Sequence, residues 1–131
     1  PAGGTAAGRG MTMRERRQVP RIAERVALAI MDAGTELAAE SHNLSTAGVY
    51  CTLDRFLAPM SKVQLQFELP NGARRFKVRC TGVVVRVEPV IANVNRGQFN
   101  TAIFFTELSD RNRSTISRFV RQRMSAASST D

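Results

Sequence analysis

Residues 62–88 read KVQLQFELPNGARRFKVRCTGVVVRVE, and the reading of the fold turns on them. From Lys62 to Leu69 polar and apolar residues alternate without a break. Val63, Leu65, Phe67 and Leu69 share one face, and Lys62, Gln64, Gln66 and Glu68 the other. A period of two with one apolar face is a half-buried strand. Pro70-Asn71-Gly72 supplies hairpin-turn chemistry, and residues 75–88 form a second, longer strand. Its apolar set changes parity midway: Phe76, Val78 and Cys80 before Gly82, then Val83, Val85 and Val87 after it. A one-residue slip at Gly82 predicts a bulge or sharp bend, the device that curls a sheet into a barrel.

Outward from this hairpin the same period continues. Residues 25–32 (RVALAIMD) are an apolar run of strand length ending at Asp32-Ala33-Gly34. Strands follow at about 35–41 and 49–53, joined by a turn over His42–Gly48, and a last strand spans about 98–107. Ser109 is placed to cap a helix with Asp110 in its first turn. Ile116, Phe119, Val120 and Met124 then recur at helical spacing, with arginines on the other faces. No helix separates the strands, so about six of them form an antiparallel sheet, closed or nearly so, followed by one amphipathic helix over 109–124. Residues 1–13 are Gly/Ala-rich and aperiodic and read as a flexible lead-in, 14–25 as an extended arm interrupted by Pro20, 26–107 as the barrel, and 125–131 as a disordered tail.

The 131 residues suffice for one domain with one core, and 43% apolar composition fits a globular protein. No apolar run approaches the length of a membrane span, and the N-terminus lacks the apolar region of a signal peptide, so a cytoplasmic protein is expected. Cys51 and Cys80 both sit in apolar, strand-like context; a disulfide stays open, but buried free thiols in a reducing compartment are favoured. The net charge of +8 is concentrated at two places. Residues 9–25 carry six arginines against Glu15 and Glu24, and residues 109–124 carry five against Asp110, while the rest sums to zero. Seventeen of the basic residues are Arg and two are Lys. Arginine offers a planar fork that grips phosphate through two bonds and stacks on bases.

Two short motifs stand in these positions. Arg17-Gln18-Val19-Pro20-Arg21 is an RxxxR in the arm, preceded by Arg16, and Asn43-Leu44-Ser45-Thr46-Ala47-Gly48 is an [DN]xSxxG between strands. In this order, some twenty residues apart and followed by a β-rich body, they resemble the PilZ family of cyclic di-GMP receptors over roughly residues 14–124. The resemblance implies a six-stranded antiparallel β-barrel with a C-terminal helix, and a binding module rather than an enzyme. It implies Arg17 and Arg21 as clamps on phosphate and guanine, Asn43 and Ser45 as base readers, and Gly48 as the turn-former. The extra Arg16 implies two intercalated ligand molecules per chain. It further implies signalling to a protein partner, whose identity no residue gives, in control of motility, exopolysaccharide or pilus assembly. The chain departs from the family where a Gly-rich GxGVxF is common in the last strand; here the residues are Asn100–Phe105.

The chemistry suits that ligand on its own terms. Cyclic di-GMP carries two phosphates and two guanines; arginine bonds to phosphate or to guanine's O6/N7 edge and stacks on the purine face. Strand alternation puts Asn43 and Ser45 on one face, and Gly48 permits either close backbone approach or positive φ. The alternatives are a degenerate PilZ-like adaptor that binds only protein, and a basic nucleic-acid-binding barrel. Against the second, Tyr50 and the seven Phe are read as mostly core-facing or distant from the motifs, where such barrels interleave aromatics with basic residues. His42 is the single histidine and is read as a loop residue without a catalytic partner pattern. The sequence offers no metal-ligand spacing, phosphate-binding loop or cofactor motif.

Overall fold

In a computed structural model, which describes residues 20–91 and 97–129, seven strands and one helix follow in chain order. They are β1 (Arg21–Ile22), β2 (Ala27–Asp32), β3 (Thr35–Ser45), β4 (Gly48–Leu53), β5 (Lys62–Asn71), β6 (Arg74–Pro89), β7 (Phe99–Glu107) and α1 (Asp110–Ser129). The sheet order is β1-β3-β2-β5-β6-β7-β4, and a further β3–β4 pairing joins its ends. Six antiparallel strands thus close into a barrel, and the short β1 adds to the outer end of β3. Closure removes the unpaired edges along which open sheets aggregate.

The β5–β6 hairpin is as its pattern predicts. Val63, Leu65, Phe67 and Leu69 are buried, and the two-residue turn has Gly72 at its first position with φ +63°, a conformation that glycine adopts without strain. The slip in β6 lies elsewhere than the sequence suggests. Val78, Cys80, Gly82 and Val84 all face inward, so parity is kept through Gly82. At the first irregularity, between Thr81 and Gly82, the extra residue is on β7; at the second, between Val84 and Arg86, it is Val85 on β6. Val85 is therefore outside, and Val87 returns to the core. Three consecutive valines conceal which one carries the slip. Gly82 contributes differently: a β-carbon there would lie 2.7 Å from Ile103 Cγ2 and 2.8 Å from the Phe104 carbonyl oxygen, so its lack of a side chain lets β7 press against β6.

One core runs from the barrel into the helix. Ile30, Leu44, Cys51 and Val78 are fully enclosed, and Ile116, Phe119 and Val120 of α1 join them by packing on β5, β1, β3 and β6. Burying a side chain of this size stabilises by about 1.5–3 kcal/mol relative to exposure. Met124, expected on the same apolar face, is 43% exposed. The helix also runs on to Ser129, through residues expected to be tail. Alanine and serine tolerate helix and no Gly or Pro stops it. At its start the Ser109 hydroxyl accepts from the Asn112 amide at 3.1 Å, the predicted cap. Ser109→Ala is expected to lower stability by about 1 kcal/mol, measured by urea unfolding; an unchanged midpoint would mean that the Ser109 hydroxyl contributes nothing to the helix.

Both cysteines are free and buried, as favoured. Burial pushes the Cys51 thiol from an ordinary 9.0 to about 12 and the Cys80 thiol to about 11. Between pH 9 and these values the unfolded chain loses thiol protons that the folded chain keeps, so stability falls as pH rises through that window. Denaturant midpoints compared across it should decline more for the native chain than for Cys51→Ala, whose own baseline is lower. Equal slopes would place the pH dependence on other groups.

Candidate functional site

The outer face of the barrel where β1, β3, β4, β7 and β6 lie side by side carries the motif residues. Pairing of Arg21 with Ser45 and of Ile22 with Leu44 fixes the arm's end on β3. Paired residues point to the same side, so Ile22 and Leu44 go into the core while Arg21 and Ser45 share the outer face, Arg21 exposed and Ser45 itself buried in the turn. Strand β3 extends through Ser45, past the predicted end at 41, so Asn43 and Ser45 belong to the strand and only Thr46-Ala47 turn. Its pairing with β4 slips between Ser41 and Asn43. This leaves Ser41 inside, where its hydroxyl accepts from the Val26 amide (2.9 Å) and donates to the Glu24 carbonyl (3.0 Å), and puts Asn43 outside, opposite Tyr50.

Two rows of side chains result. One runs Arg21, Ser45, Gly48, Phe104, by the Arg21–Ser45 and Gly48–Phe104 pairings. The other runs Asn43, Tyr50, Ala102, Arg86, each paired to the next. Between them lies a groove of about 510 Å³, within the range of small-molecule sites. Among the described residues its lining contains Arg21 and Arg86 and no carboxylate, and neither arginine is in an ion pair. Such a surface favours an anion.

The turn itself is held by Ser45, whose hydroxyl oxygen accepts from the amides of Ala47 (3.0 Å) and Gly48 (3.3 Å). Gly48 has no positive φ; it is required by close approach, because a β-carbon there would run into the Ile103 carbonyl oxygen and lie 3.2 Å from Phe104 Cα. His42, read as a loop residue, sits on β3 instead. His42 Nε2 and the Thr52 hydroxyl are hydrogen-bonded, and Thr52 in turn bonds Asn100 Oδ1 at 2.8 Å. The side chain is fixed in a hydrogen-bonded row beside the groove.

Of the sequence-derived site residues, Arg21, Asn43, Ser45 and Gly48 come together on this face, while Arg16 and Arg17 lie outside the described residues. The sequence reading missed Tyr50, Arg86 and Phe104. Phe104 is 52% exposed and Tyr50 half-buried, both outside between Arg21 and Arg86. That corrects the expectation that the aromatics are core-facing or distant from the motifs.

The PilZ domain family model matches residues 15–122. This chain belongs to the PilZ domain family. The PilZ domain here is also similar in structure to the Bacillus subtilis inhibitor of motility (MotI/DgrA), with a TM-score of 0.73, 17% identity and 83% of this chain covered. The chain spans about half (51%) of that protein's length. No curated protein matches the sequence. The PilZ fold accounts for the closed six-stranded barrel and its terminal helix, and Arg21, the last residue of RxxxR, pairs with Ser45 of [DN]xSxxG where β1 and β3 of this PilZ domain meet.

Proposed function

We propose that this PilZ domain is a receptor for cyclic di-GMP and that it passes ligand occupancy to a protein partner. The observation that carries the reading is the Arg21–Ser45 pairing, by which the second arginine of RxxxR shares a carboxylate-free groove with Asn43. Arg21 would clamp a phosphate or the guanine O6/N7 edge, with Arg17 and Arg16 reaching over from the arm. Asn43 would read guanine's polar edge with an amide that both donates and accepts. The Ser45 hydroxyl already receives two backbone amides and itself donates to the Gly48 carbonyl at 3.5 Å, so its part is chiefly to hold the turn that presents Asn43 and Arg21. With Arg16 present, two stacked ligands per chain are the proposed stoichiometry.

The ligand would also order the arm against the barrel, and since Arg21 is already paired on β3, that ordering concerns the residues before it. Ligand binding would hold residues 14–20 against the barrel face and so create or cover a partner surface, a population shift no larger than the ligand's preference for that state. The similar protein named an inhibitor of motility supports motility control as the kind of output.

The test is isothermal titration with cyclic di-GMP, with GTP and single-stranded RNA as competitors. Micromolar or tighter binding that neither competitor displaces supports the receptor. No binding at concentrations well above micromolar would sink it in favour of a protein-only adaptor. Because Tyr50 and Phe104 lie between two arginines, equal and salt-sensitive binding of RNA would instead mark a single-strand binder.

A further inference from the structure

Arg86 is outside only because of a bulge. Val84 faces the core, so regular alternation would send Val85 out and Arg86 in; the extra residue Val85 delays the alternation by one and turns Arg86 to the surface. Bulges recur beside binding sites because they re-aim a side chain in this way. Here the re-aimed side chain faces Ala102, on the row that begins with Asn43. On the companion row, Phe104 stands opposite Gly48, which has no side chain to cover it, so a large apolar ring is 52% exposed inside a groove. Val85, 47% exposed, lies beside them.

We infer that Arg86 and Phe104 form a second wall of the site, which holds the half of a two-base ligand that Arg21 and Asn43 do not reach. This rests on the cyclic di-GMP reading and adds specificity to it. Four strand pairings separate β1 from β6, and strands lie about 4.8 Å apart, so the Arg21 and Arg86 backbones are up to roughly 19 Å apart across the sheet. The two arginines therefore approach the groove from opposite sides, and a ligand with two bases and two phosphates can engage both at once. Phe104 offers its ring to one purine, and the Arg86 guanidinium takes the adjacent phosphate or the O6/N7 edge. A ligand that engages both walls gains contacts that GMP or GTP, with a single base, does not make.

The experiment titrates cyclic di-GMP and GMP into the wild type, Arg86→Gln and Phe104→Ala, with thermal melts as a fold check; both side chains are exposed, so the core is untouched. The expected result is a loss of about ten-fold in cyclic di-GMP affinity for each variant, with the weak GMP affinity unchanged. If the wild type binds and both variants bind equally well, the second wall is overturned while the receptor reading stands. A parallel loss for GMP also overturns it, since Arg86 would then be acting as a general attractor of anions. If the wild type binds no cyclic di-GMP, the receptor reading fails and the inference falls with it.

Discussion

Replacing Arg21 by alanine is expected to lower cyclic di-GMP affinity by about 30-fold or more, with the melting temperature nearly unchanged. Losing one partner of a desolvated, hydrogen-bonded charge pair costs about 2–5 kcal/mol, and a factor of ten is about 1.4 kcal/mol. Stability should hardly move, because the Arg21 side chain is exposed and in no ion pair among the described residues, while the backbone pairing to Ser45 and the buried Ile22 remain. The contrast with neighbouring Arg25 sharpens the expectation. Arg25 pairs with Glu40 at 3.5 Å with both side chains mostly exposed, so Arg25→Ala should change stability by less than about 1 kcal/mol. Lying outside the groove lining, it should also leave ligand affinity nearly as it was. Titration of both variants in one buffer checks this. Equal losses would reduce the arm to a diffuse positive charge, and no loss at Arg21 would remove the site from this face.

The parts of the fold legible in the sequence are those where one residue type marks one side. Lys62–Leu69 alternates with no ambiguous position, and the strand forms there, running on through Pro70 and Asn71 to a turn at Gly72-Ala73. Ser109 marks the helix start because a hydroxyl there has a specific amide to accept from. Legibility ends where residues on both faces are alike. Val83, Val84 and Val85 suit core or surface equally, so the slip is assigned to Gly82, the residue with a known reputation for bends, and Arg86 is left unnoticed. Gly82 is instead a contact point for Ile103 and Leu65.

The site divides along the same line. Asn43 and Ser45 share a face by alternation, and the pairing of Arg21 on β3 converts two motifs some twenty residues apart into neighbours. Phe104 is misread because exposed aromatic residues are unusual and a strand-borne Phe is first assigned to the core. What exposes it is the absence of a side chain at Gly48 on the neighbouring strand, a relation between β4 and β7 that local pattern does not contain. The tie of the arm's base to the helix is equally non-local. Arg123 donates to Glu24 at 2.6 Å while its guanidinium lies 4.5 Å from the Phe119 ring centre, so the segment between β1 and β2 rests on α1.

Gly48→Ala should be the most damaging single methyl in this domain. The added carbon meets backbone on β7, the Ile103 carbonyl and Phe104 Cα, and no rotamer change relieves that. Strand β4 is held between β3 and β7 and closes the barrel, so the strain cannot escape to a free edge. Overpacking of this kind costs about 1–3 kcal/mol, which for a domain of this size lowers the melting temperature by roughly 5–15 °C. Ligand affinity should fall as well, because moving β4 away from β7 displaces the Gly48 amide from the Ser45 oxygen and Phe104 from its place beside the groove. Melting and titration together separate two roles that the motif alone leaves joined. A lower melting temperature with weakened binding assigns the motif glycine to the contact between strands. Lost binding at an unchanged melting temperature would assign it to the space the ligand occupies, and the β4–β7 approach would then have to be more yielding than the position of Ile103 implies.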